Sequence, residues 1–281
     1  GVHIDYNSLK KYSKSLDDAI KKPSKEYKKI GVHTDGYYKQ INANTLQIEN
    51  EYYSTVRPKP DPNIKKRPSK ALLESGVNYI ELRSIDNNIF SNTGIDLDQM
   101  YFIELLIIHG LISNDSEISE KEYMESKNNL TNVAHNGRDK KFLLNINNEE
   151  KPIEVVVREI LCDLKKIAGL MYKITKDNRY KKCIEIQEEK FKNNDKLPSN
   201  KVINKMIQNK YSFYEFCMEN TWLQEKYFSK LDFDDDIINK LKEESISSVK
   251  QKDILEKNVK ENYEDYIKEY FSEKWVLESF N

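Results

Sequence analysis

Apolar positions at helical spacing define the first element of the chain. In residues 7–22, NSLKKYSKSLDDAIKK, they recur every three or four positions, and the segment stops before Pro23. Residues at this spacing lie on one face of an α-helix, and proline cannot continue a helix. The pattern therefore predicts an amphipathic helix over residues 7–22.

Two later segments alternate apolar and polar residues, which is the period of a β-strand. The first, LQIENEYYSTVRPK within residues 41–59, has one strongly polar side and ends at prolines. The second, GVNYIELRSID at 76–86, sets Ile80 and Leu82 against Tyr79, Glu81 and Arg83. A basic, proline-containing loop and a short helix near 69–75 separate them. We expect two strands, each with one polar face.

After Gly94 the periodicity becomes helical and stays so to the end of the chain. The longest apolar run, YFIELLIIHGLI at 101–112, is too short to cross a bilayer and is predicted to be a core helix. The fold class is α+β and mostly helical, with a sheet region at 1–95 and a helical region at 96–281. The candidate helices are 97–113, 117–134, 151–175, 179–192, 200–207, 212–230, 234–243 and 248–278.

Composition excludes several classes of partner. The chain has 46 Lys and Arg residues against 47 Asp and Glu residues, so its net charge of -1 attracts neither nucleic acid nor an anionic membrane. Charged residues make up 33% of the chain, yet 38% is hydrophobic and 18 residues are tyrosine, which indicates a folded domain. We expect a soluble protein without a nucleic-acid or membrane partner.

The three cysteines, Cys162, Cys183 and Cys217, are widely spaced and form no C-x-x-C pair. They predict neither a disulfide framework nor a zinc site, and a reducing cytoplasm suits them best. Their roles stay open. The chain begins with Gly, abruptly in amphipathic sequence, which suggests a fragment or a processed chain.

The two predicted strands together would carry a cluster of charges on one sheet face. Carboxylate oxygens bind Mg²⁺, and a guanidinium binds phosphate through two hydrogen bonds, so the cluster suits a metal–nucleotide site. A ladder of cross-strand ion pairs on a solvated face is the alternative, although it leaves the excess of carboxylates unexplained. The predicted members are Glu49, Glu51, Tyr53, Glu81 and Arg83, with Arg57 and Lys59 at the rim.

LQIENEYYSTVRPK and GVNYIELRSID, with the upstream KKPSKEYKKIGV at 21–32, closely resemble a region of the proteobacterial-type glutamate–cysteine ligases, the first enzymes of glutathione synthesis. The resemblance runs from residue 1 to 94, continues more weakly through NVAHNGRD at 132–139, and becomes a general helical likeness after that.

This resemblance implies part of a curved antiparallel sheet of the glutamine-synthetase-like kind, with helices packed behind it. It also implies L-glutamate, L-cysteine and ATP as substrates, with Mg²⁺. In such ligases the glutamate side chain attacks the γ-phosphate of ATP, and the amine of cysteine then displaces phosphate from the γ-glutamyl phosphate. Catalysis of this kind depends mainly on positioning and charge neutralisation.

Carried over by position, the resemblance makes Glu81 a magnesium ligand and Arg83 the catalytic contact to the γ-phosphate or acyl phosphate. Tyr53 would line the cysteine pocket. Glu49 and Glu51 are weaker candidates for orienting metal or substrate, and a supporting or cross-strand role is their alternative.

Arg138 is a further candidate for binding ATP. A Gly-Arg pair after a helix could equally cap that helix or bind a carboxylate structurally, and both alternatives stay open.

The resemblance also implies that residue 1 aligns with the middle of a longer enzyme. The amino-terminal half of such an enzyme would be a necessary partner, since it supplies most of the metal-binding carboxylates. We expect this chain alone to be inactive, with about three strands and an exposed sheet edge. The competing class is a non-catalytic helical interaction or regulatory module.

Overall fold

The computed structural model describes residues 2–113, 116–258 and 262–272 and divides the chain into two compact units. Residues 1–85 together with 233–281 form the first unit, and residues 86–232 form the second. The break at 85/86 lies close to the boundary predicted at 95/96. Residues 233–281, which the sequence assigned to the helical region, group instead with the first unit.

Helices predominate, and the strands are short. The helices are α1 (Leu9–Lys21), α2 (Lys25–Ile30), α3 (Pro68–Ser75), α4 (Leu97–Ile112), α5 (Glu120–Asn136), α6 (Ile153–Thr175), α7 (Arg179–Lys192), α8 (Pro198–Asn209), α9 (Phe213–Phe228), α10 (Asp235–Asn258) and α11 (Tyr263–Tyr270). The strands are β1 (His33–Thr34), β2 (Tyr37–Tyr38), β3 (Val56–Lys59), β4 (Tyr79–Leu82), β5 (Leu143–Ile146) and β6 (Glu149–Pro152). They pair as three antiparallel two-stranded sheets, β1–β2, β3–β4 and β5–β6.

Helix α1 organises the core of the first unit and confirms the helix predicted from spacing. Its N-cap Ser8 accepts a hydrogen bond from the backbone N of Lys11 at 3.1 Å. Its apolar face packs against side chains from the preceding and following segments, each at most 9% exposed. Burying one large apolar side chain contributes roughly 1.5–3 kcal/mol. The cluster is Ile4, Tyr12, Leu16, Ala19, Ile20, Leu46, Tyr52 and Leu72.

The predicted strand over residues 41–59 is wrong over most of its length. The ladder begins only at Val56, and residues Glu49–Glu51 form a 3₁₀ turn. The turn is stabilised because Glu49 is buried and accepts a hydrogen bond from the first free backbone N–H of α3, at Ser69. Among the described residues, β3 pairs only with β4. This sheet therefore has two strands, where about three were expected.

The sequence did not predict two tight hairpins, β1–β2 and β5–β6. Asp35 and Gly36 connect β1 to β2, and Asn147 and Asn148 connect β5 to β6, all four with positive φ. Two successive residues of this kind match the twist of a two-residue hairpin. Strands β1 and β2 span two residues each, which is too short for alternation to be recognised, and β5 and β6 do not alternate apolar and polar residues.

The second unit is built around α4, α6 and α7. Their buried side chains are Leu105, Leu161, Leu164, Ile167, Ala168, Tyr180, Cys183 and Ile184. Helix α4 was predicted to be a core helix, but Leu105 is its only fully buried residue, and Leu111 is 79% exposed. Much of the apolar surface of α4 is therefore not buried by the described residues of this unit.

The carboxy-terminal helices divide at a different place from the one predicted. The sequence suggested helices at 234–243 and 248–278, whereas α10 continues through residues 244–247 without a break. That segment contains no Gly or Pro to interrupt a helix. Helix α11 follows separately, and residues 273–278 lie outside the described residues. Among the helices described, none is long and apolar enough to cross a membrane.

Candidate functional site

Tyr53, Glu81 and Arg83 lie together at one end of the antiparallel β3–β4 pair. Arg83 follows β4, and its backbone N donates to the carbonyl O of Thr55 at 2.8 Å, which extends the ladder by one bond. Its Nη2 lies 2.9 Å from Glu81 Oε2. Its guanidinium carbon lies 5.2 Å from the centre of the Tyr53 ring, a cation–π contact. Arg83 is thus held between a carboxylate and an aromatic ring.

Lys59 adds a second cation to this cluster. The register pairs Arg57 with Glu81 and Lys59 with Tyr79, so Lys59 lies diagonally across the ladder from Glu81. Lys59 Nζ is 3.1 Å from the same Oε2 that Arg83 contacts. Both cations therefore form ion pairs with the same carboxylate oxygen.

Charge on this face is arranged to hold an anion. The Arg83 guanidinium, and then the Lys59 ammonium, hold the pKa of Glu81 below its usual range, so the carboxylate is ionised at neutral pH. Two cations then share one carboxylate. The excess positive charge suits a phosphate group, which accepts hydrogen bonds from a planar guanidinium at two oxygens.

Arg57 does not lie at the rim, where the sequence placed it. It is only 4% exposed, and its guanidinium lies beside the Tyr12 hydroxyl, where its charge opposes the rise in the pKa of that phenol. Its Nε has no hydrogen-bond partner among the residues that the structure describes. Burial, and then the neighbouring Tyr6, raise the pKa of Tyr12 to about 12, so this phenol stays protonated.

Glu49 is not on the face that carries Tyr53, which corrects the predicted common face. It is fully buried, and its carboxylate accepts hydrogen bonds from Ser69 N at 2.7 Å and Ser69 Oγ at 2.6 Å. Arg67 Nη1 lies 3.3 Å from Oε1, and the Glu49 backbone N donates to the Tyr270 hydroxyl. Both oxygens of Glu49 are engaged by its own unit.

Glu51 is not on the predicted face either. Residues Glu49–Glu51 form a 3₁₀ turn where an extended strand was expected. Its side chain is exposed and accepts a hydrogen bond from the backbone N of Gln47 at 2.6 Å. The period-two alternation that placed Glu49, Glu51 and Tyr53 on one face is therefore absent.

Arg138 belongs to the second unit, just after α5. Its Nη2 donates to Ser199 Oγ at 2.6 Å. The helix is capped instead by the backbone N of Gly137, which donates to the carbonyl O of Val133. The Gly-Arg pair therefore does cap the helix, through the backbone of Gly137 and not through the Arg138 side chain.

Metal-binding capacity in the described ranges is limited. They contain no group of three or more His, Cys, Asp or Glu side chains placed to hold an ion. Glu81 is the only carboxylate on β3 and β4. One carboxylate does not make a magnesium site, since Mg²⁺ releases its water reluctantly and prefers several ligands.

Sequence reasoning missed the partners that hold the two glutamates. Lys59 was placed at the rim, but its contact with Glu81 depends on the β3–β4 register, which alternation alone does not fix. Ser69 contacts Glu49 across 20 residues of chain. Its one local signal is the Pro-Ser pair that opens α3, which predicts a helix start and not a partner.

Known glutamate–cysteine ligases are similar in sequence to this chain over most of its length. The glutamate–cysteine ligase family model matches residues 1–133. The glutamate–cysteine ligase of Leptospira interrogans is 33% identical over 257 residues, covering 92% of this chain and 48% of that protein. That of Alcanivorax borkumensis is 31% identical over 273 residues, covering 95% of this chain and 52% of that protein.

The fold is also similar to that of a solved glutamate–cysteine ligase. The crystal structure of the Francisella tularensis glutamate–cysteine ligase in complex with AMP matches with a TM-score of 0.87 and 29% identity, over 96% of this chain and 53% of that one. The match confirms the expected α+β, mostly helical fold. The chain spans about half the length of the curated relatives it matches. By sequence and by fold, the chain is similar to glutamate–cysteine ligases over nearly all of its own length.

Proposed function

We propose that this chain is the carboxy-terminal portion of an ATP-dependent glutamate–cysteine ligase, which forms γ-glutamylcysteine in the first step of glutathione biosynthesis. Its substrates are L-glutamate, L-cysteine and ATP. The observation that most supports the proposal is the cluster of Arg83, Glu81 and Tyr53 in a chain whose relatives carry this activity in their names.

The reaction suits the cluster. An oxygen of the glutamate side chain attacks the γ-phosphorus of ATP, and the bond from phosphorus to ADP breaks. The nitrogen of cysteine then attacks the γ-carbonyl carbon and releases phosphate. Charge accumulates on phosphoryl oxygens in the first step, and Arg83, which Glu81 and Tyr53 hold beside them, is placed to neutralise it.

Tyr53 contributes to the cysteine pocket in this proposal. Its ring is 70% exposed, and its hydroxyl lies 3.5 Å from the carbonyl O of Arg83, the upper limit for a hydrogen bond. The hydroxyl is therefore available to a small polar ligand beside the guanidinium.

Glu81 is proposed as one magnesium ligand. Mg²⁺, when bound, would neutralise phosphate charge and help to orient ATP. Because Glu81 alone cannot hold the ion, the other ligands must come from the remaining part of the complete gene product. Arg83 or Lys59 would then have to move from Oε2 toward the phosphate. We therefore propose that the 281-residue chain by itself is inactive.

Arg138 is proposed to contact ATP, because its guanidinium donates to the Ser199 hydroxyl and has no carboxylate partner among the described side chains. Glu51, which is exposed, remains a candidate for orienting substrate. For Glu49 we propose the supporting role, because its carboxylate is already occupied by Ser69 and Arg67.

A helical interaction or regulatory module remains the second candidate, and α10 supports it. None of the residues of α10 is buried, and Ile237, Leu241 and Val249 are each about half exposed or more. Such a face suits a protein partner. In that case the Arg83 cluster would have no catalytic role.

We place the protein in the cytoplasm. The three cysteines are free thiols, which persist in a reducing compartment, and ATP and reduced cysteine are both available there.

The test is product formation by the complete gene product, the whole polypeptide that contains this chain. The proposal predicts γ-glutamylcysteine, detected by mass spectrometry, when ATP, Mg²⁺, glutamate and cysteine are all present. Omitting any one should abolish it. A folded complete protein that forms no product under these conditions would favour the interaction module.

A further inference from the structure

A cavity of about 310 Å³ lies in the second unit, outside the Arg83 cluster. It is formed where α4, α6 and α7 meet the segment that follows α5. Its floor is apolar, and the side chains of the floor range from buried to about one-third exposed. The apolar lining residues are Phe102, Val157, Ile160, Leu161, Phe191 and Leu197.

All the charged residues that line this cavity are cations. They are Arg138, Lys140 and Lys190, and no aspartate or glutamate lines it. The chain as a whole has 46 basic and 47 acidic residues, so three cations without an acid mark a local separation of charge. An apolar floor beside convergent polar groups is the usual form of a small-molecule site.

None of the three cations forms an ion pair within the described ranges. Arg138 donates to Ser199 Oγ, and Lys140 donates to the carbonyl O of Lys192 at 3.3 Å. A neighbouring lysine of α6, Lys165, does have a carboxylate partner, Glu188.

Lys190 is the cation that solvent reaches least. Burial lowers its pKa, Asp96 and Asp98 act in the opposite direction, and the neighbouring cation Lys201 adds to the lowering. Burying an ammonium group costs free energy, part of which an anion bound beside it would recover.

We infer that this cavity binds a small amphipathic anion, with an apolar body on the floor and a carboxylate or phosphate group at Arg138, Lys140 and Lys190. The apolar floor provides hydrophobic burial, and the cations provide charge-assisted hydrogen bonds to the head group. The inference shares Arg138 with the proposed ATP contact, but the apolar floor, Lys140 and Lys190 carry it without the ligase reaction.

Isothermal titration of the 281-residue chain tests the ligand class. Octanoate and octyl phosphate, kept below micelle-forming concentrations, carry both features of the ligand. Octanol lacks the charge, and acetate lacks the apolar body. We expect octanoate or octyl phosphate to bind with one site per chain, and octanol and acetate to bind at least about tenfold more weakly. The stronger of the two anions identifies the head group. Octanol binding as tightly as both anions would overturn the inference.

Variants test the location. Lys190→Met and Arg138→Met each remove one cation, whereas Lys173→Met removes an exposed lysine of α6 that does not line the cavity. We expect either cavity variant to weaken anion binding at least about fivefold, and Lys173→Met to leave it unchanged. Thermal melting checks that each variant is folded. Because Arg138 is exposed, Arg138→Met provides a test even if Lys190→Met unfolds. Unchanged anion binding in a folded Arg138→Met protein would contradict the inference.

Discussion

At the residue scale, the proposed role of Arg83 depends on one carboxylate oxygen that two cations share. Glu81 Oε2 contacts Arg83 at 2.9 Å and Lys59 at 3.1 Å. These pairs are partly exposed, so they contribute little to stability. Their importance is positional, because they hold two cations where a phosphate could replace the carboxylate as partner.

Replacing Glu81 by Gln in the complete gene product removes the proposed metal charge and keeps the size of the side chain. We expect turnover to fall by about 100-fold or more and the Mg²⁺ concentration for half-maximal rate to rise. Glu74→Gln is the matched control, because Glu74 pairs with Lys66 on the exposed side of α3. An unchanged magnesium profile in Glu81→Gln would remove the assignment.

Replacing Tyr53 by Phe removes only the hydroxyl, because a phenyl ring can still stack on Arg83. We expect the KM for cysteine to rise by up to about tenfold, the effect of losing one hydrogen bond, while the KM for ATP stays constant. Steady-state kinetics with each substrate varied in turn gives both values. A change confined to ATP would place Tyr53 outside the cysteine pocket.

At the element scale, one buried carboxylate decides between strand and turn. Glu49 accepts two hydrogen bonds from Ser69 at the start of α3 and pairs with Arg67, which also contacts Asp17 at 3.0 Å. Burial raises the pKa of Asp17, but hydrogen bonds from Lys21 and Arg67 outweigh this effect and lower it on balance. The group fixes α1, the 3₁₀ turn and α3 together.

Glu49→Gln and Glu51→Gln form a matched pair two residues apart. Glu49→Gln leaves Arg67 with one fewer charge partner in the interior, so we expect the free energy of unfolding to fall by about 3 kcal/mol. Glu51 is exposed, and the change there should stay within about 0.5 kcal/mol. Urea unfolding of the 281-residue chain measures both. Equal effects would mean that Glu49 is not the structural carboxylate described here.

Elements with long-range periodicity were predictable, and those that depend on distant partners were not. The spacing of apolar residues placed α1 and α7 within two residues of their observed ends. The Glu49 turn could not be predicted, because its partner Ser69 lies 20 residues away and alternation in the sequence imitates a strand. The β5–β6 hairpin was missed because its turn is Asn-Asn and not the commoner Asn-Gly.

At the scale of the whole molecule, the sequence indicated the candidate site more accurately than the strands around it. Tyr53, Glu81 and Arg83 were expected on one face and are in contact, because Glu81 belongs to β4 and Arg83 extends its alternation by one backbone hydrogen bond. Glu49 and Glu51 were expected there too, and the turn removes them. The cavity of the second unit, with its apolar floor and three cations, had no sequence signal, since its residues come from five separate segments.

The chain spans about half the length of its relatives, and it presents one carboxylate where a magnesium nucleotide needs several ligands. The central claim is therefore that this chain supplies Arg83 and Glu81 to an active site completed by other parts of the gene product.

The most direct test is ADP release in the presence of ATP and Mg²⁺, measured with both amino acids and with each omitted. It compares the 281-residue chain with the complete gene product and with two variants of the latter, Arg83→Ala and the control Arg158→Ala, an exposed arginine of α6. We predict release that requires both amino acids from the complete protein and from Arg158→Ala, and almost none from Arg83→Ala or from the chain alone. Full activity in Arg83→Ala, or in the chain by itself, would contradict the account.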